Sequence, residues 1–460
     1  MSMWLEKFVA RLWNRRSSRR RRSAPEGPSL NLGTRVIDGE VVSGPVKIPH
    51  AKRAEHLALL GKTGTGKSFE LRSFASQDIR AGRGFIFFDL HGDTTPFLLG
   101  MIADREKTVR QDLSERVVVV APADATASVG VNPLESQNDA NRFVEIAEFA
   151  EILKQRWHLD TFGARTDELL RNSLHVLAEN GLTLVELGLL LTHGAFRAAC
   201  LRNVLNPEVR QYFELRYDAA SEAMQGSMRE PILNKVSAFT ADPHFRDIIG
   251  QALSTFSFVN AMDESQWIFL DLPKGRLGEQ AATLASLFLS MIRHALFARR
   301  TREIYPLYCD EVQNLVTWGS GLETMLSESR KFGTSIITAN QFLNQYPAET
   351  RAALMAVGTH IYFQLSSSDA NEIAAALDGG KPLAELLKNL PQRRMVVKTG
   401  AERWQEAMVP NVSDPSSDGS DLYVRSRARW ARPRTEIERE IRERQSTANR
   451  SSGEALDGWE

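Results

Sequence analysis

The sequence predicts a doubly wound α/β fold, a mostly parallel sheet interrupted by an all-helical insertion. Three observations carry this. Short apolar runs rich in β-formers recur between residues 56 and 122 and again between 267 and 397, with helix-length segments between them. The run Leu57-Ala58-Leu59-Leu60 leads into Gly61-Lys62-Thr63-Gly64-Thr65-Gly66-Lys67-Ser68, after which helix-forming residues follow. Strand, glycine-rich loop and helix in that order match the phosphate-loop pattern G-x-x-x-x-G-K-[ST]. From about 134 to 262 the strand runs stop, and apolar residues recur with helical period.

Residues 1–30 stand apart. Trp4, Leu5, Phe8, Val9, Leu12 and Trp13 form one apolar stripe at helical spacing, and Lys7, Arg11, Arg15, Arg16 and Arg19 to Arg22 make the rest basic. A basic amphipathic arm of this kind suits an anionic membrane surface or a partner groove, so peripheral membrane contact through residues 1–22 is one expectation. Residues 31–50 read as a short hairpin. Gly84 to Phe88 and Arg116 to Val120 read as buried parallel strands. In the insertion, Phe143, Ile146, Phe149, Ala150 and Leu153 share one helical face, as do Leu169, Leu170, Leu174 and Leu177. Strands resume at Trp267 to Leu270, Leu307 to Cys309, Ser335 to Thr338, Ile361 to Phe363 and Met395 to Val397, with Pro306 expected to open its strand because it has no N–H to donate. After residue 411 the chain turns Ser-, Asp- and Arg-rich. It reads as a charged, mobile tail with one helix over Glu436 to Arg444. The expected organisation is an arm (1–30), a first part of the nucleotide-binding domain (31–133), the all-α insertion (134–262), a second part (263–410) and the tail (411–460).

Composition limits the alternatives. The 460 residues are 42% hydrophobic, enough for a large core, and 57 Lys plus Arg balance 57 Asp plus Glu, so net charge gives no hint of a nucleic-acid partner. Cys200 and Cys309 have neither disulfide nor metal-ligand spacing, which fits a reducing cytoplasm. No uninterrupted apolar run reaches the length that spans a bilayer; the best candidate is Leu182 to Leu191. The expected location is therefore the cytoplasm, with the arm able to touch the inner face of the membrane.

The chemistry is read at strand ends. The backbone N–H groups of Gly61 to Ser68 would surround phosphate oxygens, Lys67 would neutralise the terminal phosphates, and Ser68 would hold Mg²⁺. Leu307-Tyr308-Cys309-Asp310-Glu311 is an apolar strand ending in two acids. Asp310 suits Mg²⁺ through water, and Glu311 suits orienting or deprotonating the attacking water, which favours hydrolysis of ATP over transfer to a small acceptor. Arg330 and Gln341 flank the next strand. A guanidinium from a neighbouring subunit can stabilise transition-state charge, and a strand-end amide can sense the γ-phosphate. The alternatives are an ion pair of Arg330 with Glu328 and a loop cap at Gln341. Asn234-Lys235-Val236-Ser237 lacks the Asp of a guanine reader, no Leu-Ser-Gly-Gly signature occurs, and no Ser-His-Asp or Cys-His constellation can be picked out.

Several blocks then resemble the FtsK–HerA superfamily of pumping ATPases, most closely its type IV secretion coupling-protein branch (TraG/TraD-like). They are His56 to Ser68, Phe88-Asp89-Leu90-His91-Gly92-Asp93, Val131-Asn132-Pro133-Leu134 and Pro231-Ile232-Leu233-Asn234-Lys235. Leu272-Pro273-Lys274-Gly275-Arg276-Leu277-Gly278, Asp310 to Asn314, Ser329 to Gly333 and Ala339-Asn340-Gln341 complete the set. The resemblance implies a RecA-like motor that hydrolyses ATP with Mg²⁺, forms a homo-hexameric ring and moves DNA in conjugative or secretion-related transfer, with a relaxase or similar partner. It implies that Arg330 is the trans-acting finger and Gln341 the γ-phosphate sensor. Related expectations are a HerA-like processing or defence translocase, or a slow nucleotide-gated scaffold recruiting a relaxase or nuclease. The sequence departs from the pattern in lacking the transmembrane helices of coupling proteins and the β-barrel of HerA proteins, in Leu90 where Pro is usual, and in Gln364 where a basic residue is common.

Overall fold

The computed structural model describes residues 28–135, 139–156, 158–159, 163–315 and 321–453. The amphipathic arm, with Trp4, Phe8, Trp13 and its arginines, lies outside them. The strands are β1 (Ser29–Ile37), β2 (Glu40–Pro49), β3 (Leu57–Leu60), β4 (Phe85–Asp89), β5 (Val117–Val120), β6 (Ala127–Val129), β7 (Trp267–Asp271), β8 (Tyr305–Cys309), β9 (Thr334–Asn340), β10 (Thr359–Tyr362), β11 (Arg394–Thr399), β12 (Gln405–Met408) and β13 (Ala431–Pro433). Eleven make one sheet in the order β2-β1-β12-β11-β10-β3-β9-β8-β4-β7-β5, and β6 and β13 pair separately. From β10 to β5 all neighbours are parallel. From β10 outward through β11, β12, β1 and β2 they are antiparallel.

The parallel strands are buried at nearly every position because both faces are covered. Side chains alternate between the faces. Phe85, Phe87, Val117, Val119, Trp267 and Phe269 enter one core, with Leu71, Phe74 and Ile79 of the helix Lys67–Ala81. Ile86, Phe88, Val118, Val120, Ile268 and Leu270 enter the other, with the helical insertion and the helix Gln280–Ala298. Between β6 and β7 the described residues contain helices and no strand. Pro306 pairs with Ser335 at the start of β8, before the pairing with β4 begins at Leu307, so its missing N–H falls outside the double ladder.

Two expectations need correction. Among the described residues one helix, Gln280–Ala298, outside the stretch Leu182 to Leu191, is long and apolar enough to cross a bilayer, but 72% of that window is buried inside the protein, where it packs as a core helix. Its Ser, Thr, Arg and His residues hide its length from a search for an uninterrupted run.

The segment after 411 is not a mobile tail over the residues described. The helix Ser420–Trp430 lies on edge strand β5, buries Leu422 and donates from Ser426 Oγ to the carbonyl of Val117 at 2.7 Å. The approach to it crosses helix Thr94–Val109 at Gly100, where any Cβ would sit 2.4 Å from the carbonyl oxygen of Ser417. The helix Arg434–Gly453 then reaches the insertion, burying Ile437 and Ile441 against Val185. It starts before the expected Glu436 and runs past Arg444. Arg434 pairs with buried Asp247 at 2.6 Å, Arg444 with buried Glu186 at 3.1 Å, and Arg425 with Glu106 at 2.6 Å. Five arginines of this segment (Arg425, Arg427, Arg429, Arg434 and Arg444) meet acids on the body, and two isoleucines at i, i+4 supply the apolar anchor.

Candidate nucleotide site

The site is built at the carboxyl ends of β3, β9, β8 and β4, where open parallel sheets bind ligands. β3 delivers the loop Gly61 to Ser68. Gly66 has φ +123 just before the helix Lys67–Ala81, a conformation that L side chains rarely adopt. Thr65 Oγ1 donates to the carbonyl of Lys62 at 2.8 Å and tightens the loop. Lys67 Nζ donates back to the carbonyls of Gly61 and Lys62 at 2.6 and 2.9 Å, and burial lowers its pKa. Thr63 and Gly64 face outward. A second segment braces the loop from the β11 side: Arg393 N–H donates to the carbonyl of Thr65 at 2.9 Å and Gln392 Nε2 to that of Gly64 at 3.0 Å. The Arg393 guanidinium lies 4.0 Å from the Phe69 ring centroid.

One strand, β9, lies between β3 and β8. The acid pair at the end of β8 therefore faces the loop across Gln341, which follows β9. Ser68 Oγ donates to Asp310 Oδ2 at 2.8 Å. Asp310 is buried, and that burial raises its pKa. A hydroxyl and a buried carboxylate oxygen in contact are hard donors suited to Mg²⁺, which takes few protein ligands and leaves the rest to water and phosphate. The donor set therefore fits the ion, with Ser68 and Asp310 as the residues to hold it.

Glu311 stands in the left-handed region (φ 51, ψ 51), its N–H held by Asp310 Oδ1 at 3.0 Å. This turn brings its carboxylate back over the strand ends. Gln341 Nε2 donates to Oε1 at 3.0 Å, Asn314 Nδ2 donates to Oε2 at 3.0 Å, and His91 Nε2 lies 3.4 Å from Oε1. His91 holds the Glu311 carboxyl below its usual range, and the same pairing raises the imidazole to about 9. Asp89 shapes the loop that carries His91. One of its oxygens accepts the N–H groups of His91 and Gly92, the other those of Thr94 and Thr95.

Arg330 lies apart from this cluster. It precedes Thr334, the first residue of β9, whereas Gln341 follows the last. Seven residues of strand, about 20 Å, separate the two edges of the sheet. Its side chain is 65% exposed, and its guanidinium pairs with Glu55 at 3.0 Å, not with Glu328. Glu55 precedes β3 at that same edge. The structure thus gathers Lys67, Ser68, Asp310, Glu311 and Gln341 on one edge and sets Arg330 on the other.

His91, Asn314, Gln392 and Arg393 had no assigned role from sequence. His91 and Asn314 sit in blocks that the sequence does single out, and three-residue spacing in the turn after Glu311 is the signal for Asn314. Arg393 gives none, since 325 residues of chain separate it from Ser68. Of the departures from the pattern, Leu90 is buried and its carbonyl accepts the N–H of Lys274. Gln364 borders the phosphate loop through its carbonyl, which accepts the N–H of Lys62 at 2.9 Å, while its side chain turns to the carbonyl of Lys388.

A phosphate loop on a central parallel strand, with an acid pair two strands away and an amide between, defines a RecA-like P-loop ATPase fold with an added all-α domain. The chain belongs to the type IV secretion-system coupling protein DNA-binding domain family, whose model matches residues 40–400. Among solved structures, the bacterial conjugative coupling protein TrwBdeltaN70 in its unbound form shares 16% identity at a TM-score of 0.59, over 85% of this chain and 97% of that one. Plasmid coupling protein TrwB in complex with ADP and Mg²⁺ gives 17% identity and 0.59, over 86% and 98%. VirB4 of Thermoanaerobacter pseudethanolicus gives 16% and 0.55, over 85% and 98%. No curated protein matches.

Proposed function

We propose that this protein hydrolyses ATP with Mg²⁺ and uses the energy to move DNA through a homo-hexameric ring, in conjugative or type IV secretion-related transfer. The observation that carries this reading is the convergence of Ser68, Asp310, Glu311 and Gln341 around the phosphate loop, with Arg330 displayed on the opposite edge. The likeness to a TrwB structure holding ADP and Mg²⁺ supports the choice of ligand, and the family match supports DNA as the cargo.

In this reading Lys67 leaves the carbonyls of Gly61 and Lys62 for the β- and γ-phosphates, and the loop N–H groups take the remaining oxygens. Ser68 and Asp310 hold Mg²⁺, which supplies charge neutralisation on the phosphates. Glu311 orients the attacking water and takes its proton, and Gln341 senses whether the γ-phosphate is there. Arg330 cannot turn through the sheet to its own loop, so it serves the site of a neighbour. A ring closes when each subunit offers one edge to the next.

Lys67→Ala removes the ammonium that meets the phosphates and should raise the Kd for ATP about a hundredfold, the worth of roughly two hydrogen bonds to charged groups. Isothermal titration with a non-hydrolysable ATP analogue measures this. Unchanged affinity would take nucleotide binding away from this loop.

A further inference from the structure

The two sides of β3 are unlike. On one side lie β9 and then β8, whose end leads into Asp310 and Glu311. On the other lie β10 and then β11, which Arg393 immediately precedes. A triphosphate in the loop must turn its γ-phosphate to the acids. Its α-phosphate and nucleoside then lead away past the first turn of the helix Lys67–Ala81, toward the β10–β11 side.

Two side chains meet there. Phe69 follows Ser68 directly, and the Arg393 guanidinium lies over its ring, 4.0 Å from the centroid. The ring covers one face of the planar cation. Arg393 as a whole is exposed, which leaves the opposite face to solvent. The neighbouring Arg394 pairs with Glu406, whereas Arg393 pairs with no carboxylate among the described residues. The backbone under this cation is fixed. Arg393 stands in the left-handed region, φ +63, a conformation that a non-glycine residue keeps only where its surroundings enforce it. The phosphate loop does so on one side, where Arg393 N–H donates to the carbonyl of Thr65 and Gln392 Nε2 to that of Gly64. On the other, the carbonyl of Arg393 accepts the N–H of Val409 at 2.9 Å. A Cβ on Gly66 would lie 3.4 Å from Arg393 Cα, so loop and brace are in direct contact. The guanidinium thus holds a set position relative to the loop that would carry the phosphates.

A planar cation backed by an aromatic ring, with its outer face open, is a surface for a third flat group. Arginine stacks on nucleobases as it does on aromatic rings. We propose that Arg393, backed by Phe69, is the platform on which the purine of the bound nucleotide stacks. The proposal rests on Gly61 to Ser68 being the phosphate site and adds a base contact from the antiparallel half of the sheet. Arg393 binds the nucleoside and takes no part in cleaving the γ-phosphate. Phe69 is a positioning residue that keeps the guanidinium flat.

Isothermal titration of the full chain with two ligands, a non-hydrolysable ATP analogue and inorganic tripolyphosphate, each with Mg²⁺, separates base from phosphate. Arg393→Ala should raise the Kd for the analogue about five- to 150-fold, the ~1–3 kcal/mol of one base stack, and leave that for tripolyphosphate within about twofold. Arg393→Lys keeps the charge and loses the plane, so it should behave like Arg393→Ala. Phe69→Leu should cost less, and little more when added to Arg393→Ala. Equal losses for both ligands would make Arg393 a phosphate-binding or loop-shaping residue and overturn the platform. Wild-type affinity for the analogue in Arg393→Lys would overturn it too. A wild type that binds neither ligand would take down the phosphate-loop reading and the platform together. A wild type that binds both, with Arg393→Ala indistinguishable from it, would overturn the platform alone.

Discussion

Glu311→Gln should bind ATP with wild-type affinity and turn it over roughly a hundred to ten thousand times more slowly, the range of a single general base. The substitution keeps the side chain's size and one oxygen, so the turn at Glu311 and the Ser68–Asp310 contact that would hold Mg²⁺ stay in place. Removal of the anion abolishes proton acceptance. It also unpairs His91, which lies 3.4 Å from Oε1 and whose pKa the carboxylate raises to about 9. The His91 imidazole should therefore titrate nearer its ordinary value in the variant, a shift that NMR reads without any turnover. Rapid phosphate release by Glu311→Gln would move the base elsewhere, and Asp310, whose burial favours its neutral form, would be the next group to examine.

The second large effect concerns Arg330. A finger that completes the phosphate's surroundings from outside is worth about 10³–10⁵ in rate, so Arg330→Ala alone should be close to inactive although its own loop, Mg²⁺ ligands and Glu311 are untouched. Lys67→Ala should also be close to inactive, because its own site has lost the ammonium that meets the β- and γ-phosphates. Mixed together, the two should regain activity. Where an Arg330→Ala subunit offers its intact loop to a Lys67→Ala neighbour's intact arginine, one whole site is assembled, at about one interface in four in an equal mixture within a closed ring. An arginine acting in cis gives no such rescue. The exposed ion pair with Glu55 does not oppose this use, since pairs of that kind are worth only about 0–1 kcal/mol.

The sequence makes the parallel sheet legible because its strands are buried on both faces, and continuous apolar runs such as Phe85 to Phe88 and Val117 to Val120 follow directly from that. The phosphate loop is legible for a local reason: its conformation demands particular glycines. Glu311 and Asp310 are legible because an apolar strand ending in two acids is a short-range pattern. The contacts that complete the site are not. Gln341 to Glu311, Lys274 to Asn314 and Arg393 to Thr65 join residues that only the strand order brings together. The C-terminal segment fails for a related reason. Its arginines look solvated until Asp247, Glu186 and Glu106 are placed opposite them. The partner of Arg330 is similarly non-local: Glu328 is near in sequence, but Glu55 is near in space.

The central claim, an ATP-driven ring that works on DNA, is tested most directly by measuring the ATP hydrolysis rate of the full chain against added single- and double-stranded DNA, with oligomer mass read on the same samples. The motor predicts a ring-sized assembly in nucleotide and a hydrolysis rate that rises severalfold and saturably with at least one form of DNA. A monomer whose slow hydrolysis is indifferent to both would contradict it and leave a nucleotide-gated scaffold in its place.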